Sequence, residues 1–399
     1  MTSDLSPSSQ PQPATRAELL EATDQWLAAV IGKSETRWKP FPAYPDWDAL
    51  VSERIVFHGI AGLITERRTV LEGWPDGVMH VVRDLSVEHA MWEMLHKLTL
   101  TEALGALSDA GVSPVILKGT ALAYTLYERP VQRFRSDTDV LVDAGQREAA
   151  GKVLTGLGFE RVSANHEMTE DLEELWVVAA PDGSQHKIDL HWQAIDAPAL
   201  EELLPYEACI EGASPLVGLS EKALRMDLPT MLLHAIAHRA KHRVSPYFAG
   251  GKKYHDADRL IWLYDFDLLA RALDESDWQR FCKLAWRFEI APVCVEGLRS
   301  AARLLGTPLP ASILARLQDA PESPASAYLG QNRQLARSWK NFRALPGPGR
   351  KAAFLRSKLL PSAAFMRGKY PQLARWPLPA LYVWRIAELF VKRPRARER

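Results

Sequence analysis

The chain has 399 residues, of which 47% are hydrophobic and 25% charged, a composition typical of a folded protein with two or three domains. Its formal charge is zero, and its three cysteines, Cys209, Cys282 and Cys294, form no Cys-x-x-Cys pair, which argues against a disulfide framework or a zinc knuckle. No apolar segment follows Met1 and no run of about 18 apolar residues occurs, so we expect neither a secretion signal nor a membrane span. The cytoplasm is the expected location.

The first part of the chain predicts a disordered start followed by helices. Residues 1–16 are rich in Ser, Pro and Gln, a composition that does not support a packed core. Residues 17–112 form an N-terminal helical region in which the apolar spacing predicts helices through Leu19–Val30, Leu50–Leu71 and about Val78–Ala110.

The longest of these predicted helices carries a stripe of large apolar side chains. Met91, Met94, Leu95 and Leu98 recur at helical spacing and therefore share one face. Stripes of this kind usually belong to a protein core. The pattern predicts that the helix packs through this face.

A strand-to-helix turn follows at the start of residues 113–197. Val115–Leu117 is an apolar strand, Gly119 and Thr120 form a turn, and Leu122–Tyr127 is a predicted helix. Glycine at such a junction lets the backbone approach a phosphate, and we expect the helix amides from Ala121 to Tyr124 to point at the anion. Three cationic side chains are predicted to neutralise a triphosphate: Lys118, Arg133 and Arg135.

Three aspartates then occur in a pattern typical of a metal site. Asp137 and Asp139 precede a Val-Leu-Val run, and strand side chains two residues apart project from the same face. Asp189 lies in a second predicted strand, where it shares a face with His191, to which we assign a structural role. Carboxylates held close together repel, and a divalent cation relieves that repulsion. If the two strands are adjacent, the sequence predicts one site built from three carboxylates.

Between these strands the pattern is that of a small α/β unit. Gln146–Leu157 is a predicted helix and Phe159–Val162 a strand. Leu175–Ala179 and Gln185–Trp192 form a predicted hairpin around a Pro-Asp-Gly turn. The acidic run that ends at Glu174 is interpreted as a solvated connection.

These motifs together resemble a known superfamily. The run Leu-Lys-Gly-Thr-Ala-Leu-Ala, followed by Ser-Asp-Thr-Asp-Val-Leu-Val, is similar to the polymerase-beta-like nucleotidyltransferases, and most like the bacterial family labelled uncharacterised nucleotidyltransferase. The resemblance implies that Asp137 and Asp139 bind metal, that Asp189 completes the metal site and acts as general base, and that Gly119 and Thr120 hold nucleotide phosphates. Thr120 replaces the more familiar Ser or Gly, and its separation from Asp137 is longer than in antibiotic-modifying members, which affects the acceptor side of the pocket.

The resemblance also implies a fold and a reaction. The fold would be α+β, with a mixed nucleotidyltransferase sheet and flanking helices embedded in a mostly helical chain. The reaction would be metal-dependent transfer of an NMP group from an NTP, ATP above all, to a hydroxyl or phosphate acceptor, with Mg²⁺ in a two-metal site or Mn²⁺ in its place. One alternative is a catalytically silent nucleotide-binding scaffold. Nucleic acid is a disfavoured partner because the body of the chain is acidic and carries no recognised RNA-binding module.

Residues 198–330 are predicted to form a C-terminal helical domain with a histidine array. His234, His238 and His242 are spaced four residues apart, and His255-Asp256 and Asp258 follow. The order resembles HD-type metal phosphohydrolases, which is a further alternative. The same helix also fits a pocket wall, in which His238, Arg239, Lys241 or His242 reaches phosphate or acceptor, or a helix with one polar face.

The tail, residues 331–399, is strongly basic. It contains 17 Lys or Arg and two acidic residues, whereas the remainder of the chain has an equal excess of negative charge. An amphipathic helix is predicted near its end, with these apolar residues: Leu381, Tyr382, Trp384, Ile386, Leu389 and Phe390. Three roles are compatible with this pattern: docking on an anionic membrane surface, docking on the acidic body, or binding an acidic partner.

Overall fold

The computed structural model describes residues 15–39, 44, 46–162, 173–180, 182–243, 247–249, 252–254, 258–360, 363–373 and 375–391. Within these ranges the chain is a mixed α+β protein, as predicted, with one seven-stranded sheet and a two-stranded hairpin among many helices. Most of the predicted disordered start, His255 and Asp256, and the last predicted basic residues lie outside the described ranges.

The chain begins with four helices. They are α1 (Arg16–Ile31), α2 (Trp47–His58), α3 (Ala61–Glu66) and α4 (Asp76–Asp109). Thr15 caps α1 through a reciprocal bond with Glu18, and Gly59 ends α2 in the left-handed conformation that favours glycine. The predicted helical segments are therefore confirmed, with the second one divided at Gly59.

The middle of the chain builds the sheet. Its elements are β1 (Val115–Ile116), α5 (Lys118–Thr125), β2 (Thr138–Leu141), α6 (Arg147–Gly156), β3 (Glu160–Val162), β4 (Glu173–Ala179), β5 (Gln185–His191), α7 (Tyr206–Ile210), β6 (Ser214–Leu216) and β7 (Ser220–Arg225). The predicted hairpin is present as β4 and β5, but β4 begins at Glu173, two residues earlier than expected.

The sheet has the strand order β3-β4-β5-β2-β1-β7-β6. β2 pairs in parallel with β5 and antiparallel with β1, and β1 pairs in parallel with β7. The expectation that the chain is purely helical beyond Pro198 is therefore wrong, because β6 and β7 extend the sheet past the predicted core of residues 113–197. β7 has one buried apolar side chain, Ala223, in the middle of its polar residues, which explains why its strand signal is weak.

The remaining elements are mainly helical. They are α8 (Leu228–His242), β8 (Tyr247–Ala249), β9 (Lys252–Tyr254), α9 (Leu260–Ala272), α10 (Glu275–Arg287), α11 (Ala291–Leu305), α12 (Ala311–Gln318), α13 (Pro324–Leu329), α14 (Gln334–Ala344), α15 (Gly347–Leu359), α16 (Ala363–Lys369) and α17 (Leu378–Val391). One hydrophobic core joins the N-terminal helices, the sheet and α8 to α13, whereas Met366, Tyr370 and Leu381 form a small separate cluster in the tail.

Helix α4 packs through a face opposite to the one predicted. Met91, Met94 and Leu98 are 60%, 63% and 67% exposed, whereas His89 and His96 are buried. The polar face is buried because the sheet offers it partners: His96 Nε2 lies 2.8 Å from the hydroxyl of Thr138 in β2. The apolar-stripe interpretation is therefore wrong for this helix, since its buried face combines these polar side chains with Leu100, Leu104 and Leu107.

Candidate functional site

The parallel pair of β2 and β5 places two aspartates side by side. In the strand register Asp139 lies opposite Asp189, and Leu141 lies opposite His191. Since side chains alternate along a strand, Asp189 and His191 share one face. Asp139, Asp189 and His191 each offer a ligand atom, and these atoms all lie within 4.8 Å of one another. The sheet thus gathers two carboxylates and an imidazole, with Asp137 immediately before β2.

Burial and mutual repulsion set the protonation of the carboxylates. Burial, together with the charges of Asp139 and Asp137, raises the pKa of Asp189 to about 8. Burial and the Asp139 charge raise the pKa of Asp137 to about 6. Burial would also raise the pKa of Asp139, but Lys118 and His191 outweigh it and hold that pKa below its ordinary value. In the absence of a bound cation, the site therefore holds a proton on Asp189 near neutral pH.

Lys118 lies at the centre of this charge cluster. Its Nζ atom is 2.5 Å from Asp139 Oδ1, and both side chains are largely buried. Burial alone would lower the pKa of Lys118, but Asp139, Asp196 and Glu173 raise it above its ordinary value. The backbone of Lys118 has a φ of 49°, the left-handed region that a side chain disfavours. Such strain persists where the surrounding structure holds a residue in a required position.

His191 and Glu173 are two members of the site that the sequence did not assign. His191 Nε2 lies 2.9 Å from Asp139 Oδ1, and His191 Nδ1 lies 3.4 Å from Glu173 Oε2. Burial and Lys118 lower the pKa of His191, but its two carboxylate neighbours leave it raised. Burial also raises the pKa of Glu173, so the interpretation of the whole acidic run as a solvated connection is wrong at this residue. The sequence places Asp189 and His191 on one face of their strand, and this pattern was the signal that could have assigned His191 to the site.

The start of α5 forms the second part of the site. The helix begins at Lys118, so the amides without a partner within the helix are those of Lys118, Gly119 and Thr120, rather than the expected Ala121 to Tyr124. A Cβ atom on Gly119 would lie 3.4 Å from the guanidinium carbon of Arg133. The hydroxyl of Thr120 lies 2.9 Å from that of Thr138, which alternation places on the opposite face of β2 from Asp139.

The two predicted phosphate-binding arginines already have carboxylate partners. Arg133 donates from Nε and Nη2 to Asp265 in α9, at 2.9 and 2.8 Å. Arg135 Nη2 lies 2.5 Å from Glu93 Oε2 in α4. Both guanidinium groups are buried, and they connect the loop before β2 to two flanking helices. A direct contact of either group with nucleotide stays a prediction.

The histidines of α8 lie close enough to Lys118 and Asp139 to feel their charges, whereas the predicted HD-type partners His255 and Asp256 lie outside the described residues. His234 Nε2 is 3.0 Å from the carbonyl of Ala194, and Asp258 accepts from Arg239 Nε at 2.8 Å. The rings of His238 and His242 are 4.3 Å apart, and burial, together with the charge of Lys241, lowers the pKa of His242 to about 3. In the part of the chain that the structure describes, Asp139, Asp189 and His191 are the group with metal-ligand spacing. The role of α8 as a pocket wall stays a prediction.

The donor set suits a divalent cation. Carboxylate oxygens are the ligands that Mg²⁺ and Mn²⁺ prefer, and an imidazole is compatible with Mn²⁺. A cation at Asp139 and Asp189 would also remove the repulsion that keeps Asp189 protonated. The residues present therefore fit such an ion, with Lys118 as the group that neutralises Asp139 without one.

Comparison with known protein families matches the region that contains these elements. A family model described as "uncharacterised nucleotidyltransferase" matches residues 45–306, about two thirds of the chain. The match runs from α2 to the end of α11 and includes every residue of the site described above. No curated protein and no solved structure shows significant similarity to the chain.

Proposed function

Because the chain belongs to the uncharacterised nucleotidyltransferase family, we propose that it transfers an NMP group from an NTP, ATP above all, to a hydroxyl or phosphate of an acceptor, with release of pyrophosphate. The observation that supports this proposal is the in-register pair of Asp139 and Asp189, with His191 beside them, on the sheet that carries the glycine-bearing start of α5.

The proposed metal ligands are Asp139 and Asp189, with Asp137 and His191 next to them. A bound Mg²⁺ or Mn²⁺ would supply positive charge for the phosphate oxygens and for the departing pyrophosphate. Glu173 Oε2 lies 3.4 Å from Nδ1 of His191, so its charge would compensate that of a protonated imidazole. Asp137 and Asp189, whose pKa values are both raised, become available as ligands once the excess negative charge is compensated.

The protein side chains supply positioning and proton transfer in this scheme. An oxygen of the acceptor forms a bond to the alpha-phosphorus, the bond from that phosphorus to the bridging oxygen breaks, and pyrophosphate leaves. Asp189, as carboxylate, takes the proton of an attacking hydroxyl. Lys118 and the amides of Lys118, Gly119 and Thr120 stabilise the phosphate charge at the start of α5.

The direct test is a transfer assay with each of the four alpha-labelled NTPs and a panel of acceptors. We expect label transfer with pyrophosphate release, and we expect Asp139→Asn to lower the rate by at least about a hundredfold because it removes a ligand charge. Asp109→Asn is the matched control, since that carboxylate is 71% exposed in its ion pair with Lys222. Normal turnover by folded Asp139→Asn would refute the proposed site.

The second candidate function is nucleotide binding without transfer. Its supporting observation is the ion pair of Lys118 with Asp139, which neutralises a central ligand with the protein's own charge. Calorimetric titration with NTP and Mg²⁺ distinguishes the two functions. Tight binding without pyrophosphate release from any NTP or acceptor would favour the silent scaffold.

A further inference from the structure

Helix α14 carries large apolar side chains that point into solvent. Leu335 is 79% exposed and Trp339 is 60% exposed, and their spacing of four residues places them on one face. The ring of Phe342 stacks on that of Trp339 at 5.4 Å and extends the same face by a further turn. The helix is held to the body from its other side, where Arg337 donates to the carbonyls of Lys241 and Ala240.

The next helices repeat this arrangement. In α15, Leu355 and Leu359 are 45% and 48% exposed, again four residues apart, and Leu360 follows at 56%. Trp376 and Trp384 are 43% and 46% exposed, and their rings contact each other at 6.1 Å. Isolated exposed apolar residues are ordinary, but successive stripes that include three tryptophans indicate an interaction surface.

The charge of the same segment is almost entirely positive. Residues 331–391 contain 12 Lys or Arg and one acidic residue, Glu388. Arg343 in α14, Arg350 and Arg356 in α15, and Arg375 before α17 are exposed, so exposed basic groups occur on the same helices as the apolar stripes. The rest of the chain is acidic and would be repelled by the anionic surface that attracts the tail.

We propose that α14 to α17 form a surface that docks on a lipid bilayer rich in anionic headgroups. Leucine and tryptophan side chains enter the interfacial layer of a bilayer, while Arg and Lys contact the headgroups. Among the described residues no helix is long and apolar enough to cross a membrane, so the docked tail lies along the surface. The bases of single-stranded nucleic acid could stack on the tryptophans, but they would leave the aliphatic side chains of Leu335, Leu355 and Leu359 in contact with water. This inference is independent of the proposed reaction.

The experiment is flotation of the full chain with lipid vesicles. We expect binding to vesicles that contain phosphatidylglycerol to exceed binding to pure phosphatidylcholine vesicles by roughly tenfold, and to weaken as salt is added. Equal binding to both kinds of vesicle, or no binding to either, would overturn the proposal.

Two matched triple variants distinguish binding through this surface from nonspecific binding by exposed apolar side chains elsewhere on the protein. Leu335→Ser, Trp339→Ser and Leu355→Ser together should abolish flotation. The control is Val87→Ser, Met91→Ser and Met94→Ser on α4, which removes side chains of comparable exposure and should leave flotation unchanged. Thermal unfolding verifies that both variants are folded. Equal loss in both would contradict the assignment to the tail.

Two further measurements test other occupants of the surface. Light scattering reports whether the wild type is a dimer that the tail variant converts to a monomer, in which case a second copy covers the surface. Fluorescence anisotropy with labelled single-stranded RNA reports whether the tail variant loses RNA affinity. Either result, with vesicle binding intact in the tail variant, overturns the membrane proposal.

Discussion

Asp189 is the residue whose titration best reports the state of the candidate site. Burial and two neighbouring carboxylates raise its pKa to about 8 from an ordinary value of 3.8. Between pH 3.8 and about pH 8, the Asp189 carboxyl group has lost its proton in the unfolded chain but still holds it in the folded protein. The free energy of unfolding therefore falls as pH rises through this window.

We expect Asp189→Asn, without metal, to be more stable than the wild type at about pH 8 by on the order of 1–3 kcal/mol, with the difference vanishing towards about pH 4. The neutral amide removes the cost of a buried charge. Urea unfolding at a series of pH values in the presence of a chelator measures this difference. A pH-independent difference between the two proteins would contradict the raised pKa.

The sequence predicted the paired aspartates but not their full surroundings. The strand faces of Asp137, Asp139 and Asp189 could be predicted because the alternation of side chains along a strand depends only on local sequence. Glu173 approaches His191 only because β4 pairs with β5, and Glu173 is opposite His191 in that register. Such a contact depends on strand pairing, which residue spacing alone does not specify.

Among the elements, α9 fixes the loop that leads into β2. Asp265 accepts two hydrogen bonds from Arg133 and one from the hydroxyl of Tyr127 at 2.6 Å. All of these groups are buried, so the loss of the carboxylate charge would remove the negative charge that Arg133 pairs with at 2.8 Å. Helix α9 therefore positions the arginine that lies beside Gly119.

We expect Asp265→Asn to lower the free energy of unfolding by about 3 kcal/mol, as for other buried pairs that lose one partner. Asp267→Asn is the matched control on the same helix, because its partner Arg271 is half exposed, and it should cost less than about 1 kcal/mol. Denaturant unfolding of both variants gives the comparison. Equal losses would show that Arg133 finds another partner.

The orientation of α4 shows where element prediction fails. Its apolar stripe gives the correct period but the wrong face, because His89, Glu93 and His96 find partners on the sheet and in its loops. Periodicity locates a helix from its own residues. Which face becomes buried depends on what the neighbouring elements offer.

At the scale of the whole molecule, Arg337 joins the basic tail to the acidic body. Its guanidinium donates to four backbone carbonyls, of Ala240, Lys241, Leu329 and Gln331. Two of these carbonyls belong to the last turn of α8, where a cation also complements the helix dipole. The docking of α14 thus depends strongly on one buried side chain.

We expect Arg337→Ala to destabilise the protein by about 2 kcal/mol and to increase cleavage of residues 331–360 in limited proteolysis, since several carbonyls lose their donor. Arg343→Ala on the exposed side of the same helix should change neither quantity measurably. Unaltered protease resistance in Arg337→Ala would mean that other contacts hold α14.

The overall α+β architecture was predictable because the sheet motifs and the helical periodicities are separate local signals. The division into residues 113–197 and 198–330 remains a prediction, and the two strands that extend the sheet beyond that boundary, β6 and β7, were missed. β7 pairs with β1 over a sequence separation of more than 100 residues, and β7 has no strong strand pattern of its own. Contacts of this kind follow from packing of the whole chain.

This long-range pairing has a consequence for folding. β1 has two residues and lies between β2 and β7, with Val115 opposite Leu224. During synthesis, the edge of β1 that accepts β7 stays open until the ribosome has released the segment around residue 225. The seven-stranded sheet is therefore completed late, and loop-closure entropy should make this step slow compared with formation of the N-terminal helices.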